Sequence, residues 1–269
     1  MKFLNRKTNI DFMSRRNIAL VFSTIMIVIS IASLTIRGLN FGLDFTGGTL
    51  IEVGYPSPPD TNDVRENLST AGFDSVVQTF GAATDIVVRI PPSEVEESSA
   101  ELSTRVLAAL SQGVDGEIEM RRVEFVGPQV GEELAEQGIL AVIYAMVGVF
   151  LYVMFRFQWR FSVGAVAALF HDITISMGII SLAQIEFDLT VVAAILAVVG
   201  YSLNDTSVLF DRIRENFPRY RNRQPIEVVN TSINETLSRT LMTSTTTLLV
   251  LIALFYFGGE IIHGFAFTL

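Results

Sequence analysis

The sequence predicts a polytopic α-helical membrane protein with five full spans, the start of a sixth, and one exported α+β domain. Half of the 269 residues are of the types AVILMFWYC, and the mean hydropathy is +0.46. This composition is too apolar for an ordinary soluble domain. Apolar runs of roughly 20 residues, the length of a bilayer-spanning helix, recur along the chain. One segment, 37–137, breaks the pattern because it is acidic and has no long apolar run.

The predicted spans are separated by polar segments of different lengths. No small-x-small cleavage site follows the first apolar run before Arg37, which favours an uncleaved span over a signal peptide. From Gly264 the chain becomes apolar again, which predicts a sixth span that has begun where the sequence stops. The five full spans are predicted at 17–36, 138–155, 161–183, 189–210 and 241–257.

Segment 37–137 has 18 acidic and 6 basic residues, which indicates a domain in water between spans one and two. Asp60 and Thr61 are candidate caps for its first helix. The order βαββαβ predicts a ferredoxin-like split βαβ sandwich. The expected elements are a strand at 49–55, a helix from 60 to about 72, strands at 74–80 and 84–90, a helix from 91–93 to 112–113, and a strand at 117–125.

The basic residues lie in alternate connections, and such residues favour the cytoplasmic side of a membrane. The N-terminal arm 1–16 has five of them, the connection 156–160 has two, and the predicted loop 211–235 has five arginines. The N-terminus and the loop 211–235 are therefore predicted to be cytoplasmic, and the acidic domain is predicted to be exported. The part from 138 to 269 is expected to hold the remaining membrane helices.

Several classes of function are disfavoured. The formal net charge of −9 argues against a nucleic-acid partner, and the absence of cysteine excludes disulfides and thiolate chemistry. No GxxxxGK[ST] motif occurs, so ATP is not expected to drive this chain. His171 and His263 lie in different segments without metal-ligand spacing. We therefore expect no enzyme, metal or cofactor.

An acid stands inside the fourth predicted span. Asn204 and Asp205 interrupt the run 189–210, and Asn204 is predicted to face the helix bundle. A carboxylate at the centre of a membrane helix costs roughly 2.5–3.5 kcal/mol, and intramembrane acids are functional candidates for that reason. The alternative is that Asp205 only marks the end of the helix. The functional interpretation is an acid that takes up and releases a proton.

The fifth span has one polar face, because Arg239, Thr243, Thr246 and Thr247 align at helical spacing. This face is predicted to look into a helix bundle. The alternatives are hydroxyls that bond to their own helix carbonyls and an arginine that snorkels to the interface. Asp205 and Arg239 lie toward the same end of consecutive antiparallel spans, so they could meet. An acid that faces a movable guanidinium can couple proton uptake to motion.

The third span contains a second polar pair, His171-Asp172. Asp172 is 11 residues from Phe161, near the middle of the membrane at about 1.5 Å per residue. A histidine beside an acid can relay protons. A hydrogen-bonded pair that joins two helices is an equal alternative.

Several longer motifs resemble one family, the SecF proteins of the SecD/SecF family of bacterial protein-export membrane proteins, within the RND superfamily. The resemblance covers the chain from about residue 17 to its end. The motifs are Gly42-Leu43-Asp44-Phe45-Thr46-Gly47-Gly48, Glu124-Phe125-Val126-Gly127-Pro128, Phe155-Arg156-Phe157-Gln158-Trp159-Arg160, His171-Asp172, Gly200-Tyr201-Ser202-Leu203-Asn204-Asp205-Thr206, Asp211-Arg212-Ile213-Arg214-Glu215-Asn216, Leu237-Ser238-Arg239-Thr240 and Phe257-Gly258-Gly259.

The resemblance implies an auxiliary subunit of the Sec translocase in the bacterial inner membrane. Members of the family pair with SecD, join the SecYEG channel, and use the proton-motive force to help export preproteins, and the resemblance implies the same for this chain. It also implies that Asp205 and Arg239 couple to protons. The family's full sixth span and cytoplasmic tail are missing here. The alternatives are a small-molecule or ion exporter of RND type and a passive assembly scaffold.

Overall fold

The computed structural model describes residues 8–92, 99–114, 116–157 and 159–269. The α-helices, in chain order, are α1 (Arg16–Ile36), α2 (Leu43–Thr46), α3 (Thr61–Thr70), α4 (Ser99–Leu110), α5 (Pro128–Arg156), α6 (Trp159–Ala183), α7 (Leu189–Arg219), α8 (Pro225–Phe257) and α9 (Glu260–Thr268). The strands are β1 (Asn40–Phe41), β2 (Gly48–Gly54), β3 (Val76–Phe80), β4 (Ala82–Ile90), β5 (Glu119–Val126) and β6 (Glu186–Phe187).

The chain divides into two compact units. A helical unit combines the residues up to Asn40 with Leu140–Leu269, and the unit between them is Phe41–Ile139. Within the described residues, five helical segments are long and apolar enough to cross a membrane, and they correspond to α1, α5, α6, α7 and α8. The predicted class of a multi-pass α-helical membrane protein is thereby supported.

The prediction of a loop at 211–235 is wrong for most of its length. Helix α7 continues to Arg219 and α8 begins at Pro225, so only 220–224 connect them. Pro225 is the first helical residue, a position where a missing N–H is no loss. Hydropathy detects only the apolar part of each helix, whereas these polar ends still bury one side, including Ile213 and Val228.

Helices α1 and α6 approach each other closely through small residues. A Cβ added to Gly178 would lie 2.2 Å from the Cβ of Ser30, so no side chain fits at position 178. Nearby, the hydroxyls of Ser33 and Ser181 are 2.8 Å apart. Small residues allow helix backbones to approach in membranes, and hydroxyls can bond across the contact. These contacts fix α1 against α6.

The connection between α5 and α6 packs on α7 through aromatic rings. The ring of Phe210 lies 6.0 Å from that of Phe157 and 4.8 Å from that of Phe161. Beside them, Arg156 donates to Asp211 at 2.8 Å. Arg156 and Phe157 belong to one of the motifs noted in the sequence and Asp211 to another, so these contacts give both motifs a packing role.

The segment before α1 is attached to α8 by two asparagines one turn apart. Asn234 Oδ1 accepts from the Ile10 N–H at 2.8 Å, and its Nδ2 donates to the Ile10 carbonyl at 2.8 Å. Asn230 Oδ1 accepts from the N–H groups of Phe12 at 2.9 Å and Met13 at 3.2 Å. The N-terminal segment is therefore bound to α8 through its backbone.

The second unit is a four-stranded antiparallel sheet with strand order β3-β4-β2-β5. Its element order is β2-α3-β3-β4-α4-β5, the predicted βαββαβ, with bounds shifted by a few residues. Asp60 caps α3 as predicted, because its carboxylate accepts from the Asn62 N–H. The predicted start of the second helix includes residues 93–98, which lie outside the described part of the chain.

The core of this unit lies between the sheet and the helices α3 and α4. It includes Ile51, Leu68, Ile86 and Leu110. Tyr55 is buried beside it and donates to the Leu110 carbonyl at 3.4 Å. Burial disfavours the charged phenolate and raises the pKa of Tyr55 to about 12.

The two adjacent glycines at the start of β2, Gly47 and Gly48, have a structural role. Gly47 and Gly48 have φ angles of +66° and +113°, which favour glycine. A Cβ at Gly48 would lie 2.3 Å from the Ile90 carbonyl oxygen. The short helix α2, which the sequence analysis did not predict, precedes them. These glycines therefore allow a tight turn from α2 into the first long strand.

Candidate functional site: a polar cavity among the helices

The candidate site is a cavity of about 450 Å³ within the helical unit. It brings together the two acids that the sequence analysis placed in separate spans, Asp172 and Asp205, along with His171. A polar cavity of this size can admit water. Its lining residues are His171, Asp172, Ile175 and Ser176 of α6, Val198, Tyr201, Ser202, Asp205 and Thr206 of α7, and Thr268 and Leu269.

His171 and Asp172 are joined to two other helices by hydrogen bonds. His171 Nδ1 and Asp172 Oδ1 are 2.8 Å apart, and Ser202 Oγ donates to Asp172 Oδ2 at 2.6 Å. On its other side, His171 Nε2 is hydrogen-bonded to the Ser23 hydroxyl of α1. The pair therefore joins α1, α6 and α7, as the alternative of an inter-helix hydrogen-bonded pair requires. A relay role is equally compatible with this chain of polar groups.

Asp205 is half-buried in the middle of α7. The Thr243 hydroxyl of α8 lies 3.5 Å from Asp205 Oδ1. Because α7 continues to Arg219, Asp205 does not mark the end of the helix, and that alternative is wrong. The acid faces both the cavity and the neighbouring helix.

The predicted contact between Asp205 and Arg239 is absent from the structure. The Arg239 side chain is exposed, and within the described residues it makes no ion pair. The helices run antiparallel with Thr243 level with Asp205. Arg239, four residues earlier, therefore lies about 6 Å further along the axis, toward the α7–α8 connection. In this conformation the exposed arginine fits the snorkelling alternative.

Other contacts fix the same register of α7 against α8. The pairs become progressively more distant from the cavity as the residue numbers of α7 rise and those of α8 fall. They are Asp205 with Thr243, Arg212 with Glu235 at 3.6 Å, and Asn216 with Ser232 at 3.0 Å.

The remaining polar residues that were predicted to face the bundle differ in their exposure. Thr247 is half-buried, whereas Asn204 and Thr246 are exposed in this chain, so a bundle-facing position stays a prediction for those two. Successive helical residues are about 100° apart, which turns Asn204 away from the side that Asp205 occupies. The hydroxyls of Thr243 and Thr246 each bond to carbonyls of their own helix, as the alternative stated.

Sequence reasoning did not single out Ser23, Tyr201 or Ser202, which belong to the cavity lining or to the hydrogen-bonded network. Ser202 had a usable signal, because it precedes Asp205 by three residues and so shares its helix face. The Tyr201 hydroxyl is buried and has no hydrogen-bond partner among the described residues. Ser23 had no signal, since its contact with His171 joins positions 148 residues apart. Among the described residues, no group of three or more acidic or histidine side chains could hold a metal ion.

The fold and the cavity define a multi-pass membrane protein whose spans place ionisable groups beside a polar cavity, and such intramembrane groups are candidates for function. The family described as protein export membrane protein SecD/SecF, C-terminal, matches residues 106–269, and the SecD/SecF GG motif matches residues 32–55. The chain belongs to the SecD/SecF family, which confirms the resemblance.

Similar proteins agree with this assignment. The protein translocase subunit SecF of Vibrio alginolyticus is 51% identical over 269 residues, covering all of this chain and 85% of the relative. That of Pseudomonas aeruginosa is 51% identical, covering 97% of this chain and 84% of the relative. The crystal structure of a Thermus SecDF, described as a translocon-associated membrane protein, matches with a TM-score of 0.85 and 35% identity. The match covers all of this chain, which spans 36% of that SecDF chain.

Proposed function

We propose that this chain is a non-enzymatic subunit of the Sec protein translocase that, together with SecD, uses the proton-motive force to drive preprotein export. The observation that carries the proposal is the cavity that holds Asp172, His171 and Asp205 among membrane-spanning helices. Ionisable groups are expensive in a membrane, and a cavity that can admit water gives protons access to them. The translocase names of the relatives support the export role.

In the proposed mechanism, Asp205 takes up a proton from the cavity and its protonation state sets the position of α8. While Asp205 is charged, Arg239 is attracted toward it across the offset of about 6 Å. Once Asp205 is neutral, the attraction is lost and the register seen here, with Thr243 beside the acid, is favoured. Asp172 and His171 serve as a second proton-holding group in the same cavity.

The energy available is sufficient for such a shift. A charge that crosses the membrane gains about 2.3 kcal/mol per 100 mV. Moving a two-state equilibrium from 1:99 to 99:1 takes about 5.5 kcal/mol. At 100 mV, about two to three protons per cycle therefore suffice. The ionisable groups of the cavity can hold a number of protons of this order.

We assign the second unit as a ferredoxin-like domain on the periplasmic side of the bacterial inner membrane. Its strand order supports the fold, because it places the first and third strands of the βαββαβ unit side by side at the centre. The basic arm at 1–16 and the arginines at 212–223 support a cytoplasmic location for the opposite end.

The proposed partners are SecD, the SecYEG channel, the translocating preprotein and membrane lipid, with a proton gradient as energy source and no cofactor. The Thermus SecDF chain, of which this chain spans 36%, supports an association with a SecD part. No nucleic acid is proposed, given the net charge of −9.

Preprotein translocation into proteoliposomes that contain this chain, SecD and SecYEG tests the proposal. Wild type is expected to gain from a proton gradient, and Asp205→Asn and Arg239→Met are expected to lose that gain while the complex still assembles. Glu215→Gln, an exposed acid two to three turns further along α7, is the matched control and should retain it. Normal gradient-driven export by Asp205→Asn would favour a passive scaffold. Efflux of a small molecule or ion without preprotein would favour an RND-type exporter.

A further inference from the structure

Ser23 of α1 lies outside every motif noted in the sequence and is the end member of a hydrogen-bonded series. The series runs from Ser23 to His171, then to Asp172, then to Ser202, and so connects α1, α6 and α7. The imidazole is at its centre and is bonded through both ring nitrogens. The roles of the partners on its two sides determine which nitrogen is free to take a proton.

The donor of each bond follows from the chemistry of its partner. When Asp172 is ionised, its carboxylate can only accept hydrogen bonds, so His171 Nδ1 then carries the hydrogen toward Asp172. In a neutral imidazole the other nitrogen is then an acceptor. The Ser23 hydroxyl therefore donates to Nε2, and the Ser202 hydroxyl donates to Asp172.

We propose that Ser23 is a positioning residue that holds His171 as the Nδ1–H tautomer and makes Nε2 the proton-accepting atom of the cavity. This inference rests on the proposed proton-driven function. Protonation forms one N–H bond at Nε2 and breaks one O–H bond of a hydronium ion. The Ser23 hydroxyl then rotates and accepts from Nε2–H, since a hydroxyl can both donate and accept. Both charge states of the ring keep a partner at each nitrogen.

The surroundings of the ring support this role. The other titratable side chains among the described residues that line the cavity are Asp172 of α6 and Tyr201 and Asp205 of α7. The lining residues of α9 and the chain end, Thr268 and Leu269, have no titratable side chain. On α1 the contact is the Ser23 hydroxyl. Among these described neighbours His171 is the sole side chain that becomes a cation, and it faces two acids.

Nitrogen NMR of the imidazole tests the proposal independently of transport. The full chain, with ¹⁵N-labelled histidine and the substitution His263→Gln, is reconstituted in lipid bilayers so that His171 gives the only imidazole signals. In the neutral state the hydrogen is expected on Nδ1, with the Nε2 resonance displaced by its hydrogen bond. Ser23→Ala should move the Nε2 resonance to the position of a nitrogen without a donor, and Ser23→Thr should restore it.

The matched control is Thr24→Ala, because the Thr24 hydroxyl is exposed and bonds to the Leu20 carbonyl of its own helix. It should leave both imidazole resonances unchanged. A neutral ring with its hydrogen on Nε2, or an Nε2 resonance that Ser23→Ala does not move, would overturn the proposal. Gradient-driven translocation should fall several-fold in Ser23→Ala and not in Ser23→Thr. Loss of the proton-driven function itself would instead appear as normal export by Asp205→Asn, with the NMR result unaffected.

Discussion

The Thr243 hydroxyl of α8 lies 3.5 Å from the Asp205 carboxylate of α7, and this contact defines the level at which the two helices meet. It places a neutral hydroxyl where the sequence predicted a guanidinium. Arg239 is displaced by one helical turn toward the connection. The observed partner of Asp205, Thr243, and the predicted partner, Arg239, are therefore one turn of α8 apart. The proposed mechanism displaces α8 by this distance.

Thr243→Val is expected to reduce gradient-driven translocation several-fold, less than Asp205→Asn. The substitution keeps the shape of the side chain and removes the hydroxyl that faces Asp205. Translocation in proteoliposomes with and without a proton gradient measures the effect. Thr246→Val is the comparison, because that hydroxyl is exposed and bonds to the Met242 and Thr243 carbonyls. Equal losses from both substitutions would contradict a specific role for Thr243.

Gly178→Ala is expected to destabilise the helical unit by about 1–3 kcal/mol, because the new methyl group overlaps Ser30 and the backbones of α1 and α6 must separate. Thermal unfolding in detergent micelles measures the loss as a lowered Tm. Gly148→Ala in α5 is the matched control, since a Cβ there meets no atom within 4 Å. A Tm for Gly178→Ala equal to that of Gly148→Ala would show that the close approach is not present in solution.

Asn230→Ala and Asn234→Ala are expected to release different backbone amides. Asn230 accepts from Phe12 and Met13, whereas Asn234 accepts from Ile10. A hydrogen bond contributes about 1 kcal/mol, so amide hydrogen exchange should rise roughly five-fold at the corresponding residues. Residue-level hydrogen exchange of the full chain distinguishes the two patterns. Thr231→Ala, whose hydroxyl bonds to the Glu227 carbonyl within α8, should change neither.

Tyr55 makes the second unit sensitive to alkaline pH. Its pKa is raised from 10.0 to about 12 by burial. Below pH 10 both the folded and the unfolded states keep the proton, so stability is unaffected. As the pH rises through this window, the unfolded state ionises first and stability falls by about 2–3 kcal/mol in total. Tyr55→Phe should remove this dependence.

Absorbance titration of the tyrosines provides the measurement for Tyr55. Wild type should show an ionisation step near pH 12 that is missing in Tyr55→Phe. Tyr220→Phe, in the connection between α7 and α8, should leave that step in place. A wild-type titration that is complete well before this step would mean that Tyr55 is not buried as described.

The apolar spans and the order of elements in the second unit follow from the sequence because both depend on local patterns. Runs of apolar residues mark α1 and α6, and turn residues such as Gly81 separate β3 from β4. The extension of α7 to Arg219 was missed because a polar helix that buries one side has no hydropathy signal. Cavity membership was only partly predictable. Asp205 was found by its cost in a membrane, whereas Ser23 depends on how α1 packs on α6.

With the asparagine contacts of the N-terminal segment, the contacts among α1, α6, α7 and α8 form a closed ring. Helix α8 touches α7 at Asp205, α7 touches α6 at Asp172, and α6 touches α1 at Ser23. The segment that precedes α1 then returns to α8. A displacement of α8 must therefore either move the segment before α1 or break these hydrogen bonds. Movement of the segment would act on α1, whose Ser23 is hydrogen-bonded to the His171 imidazole. The first few residues of the described chain are thus sufficient to couple movement of α8 to α1.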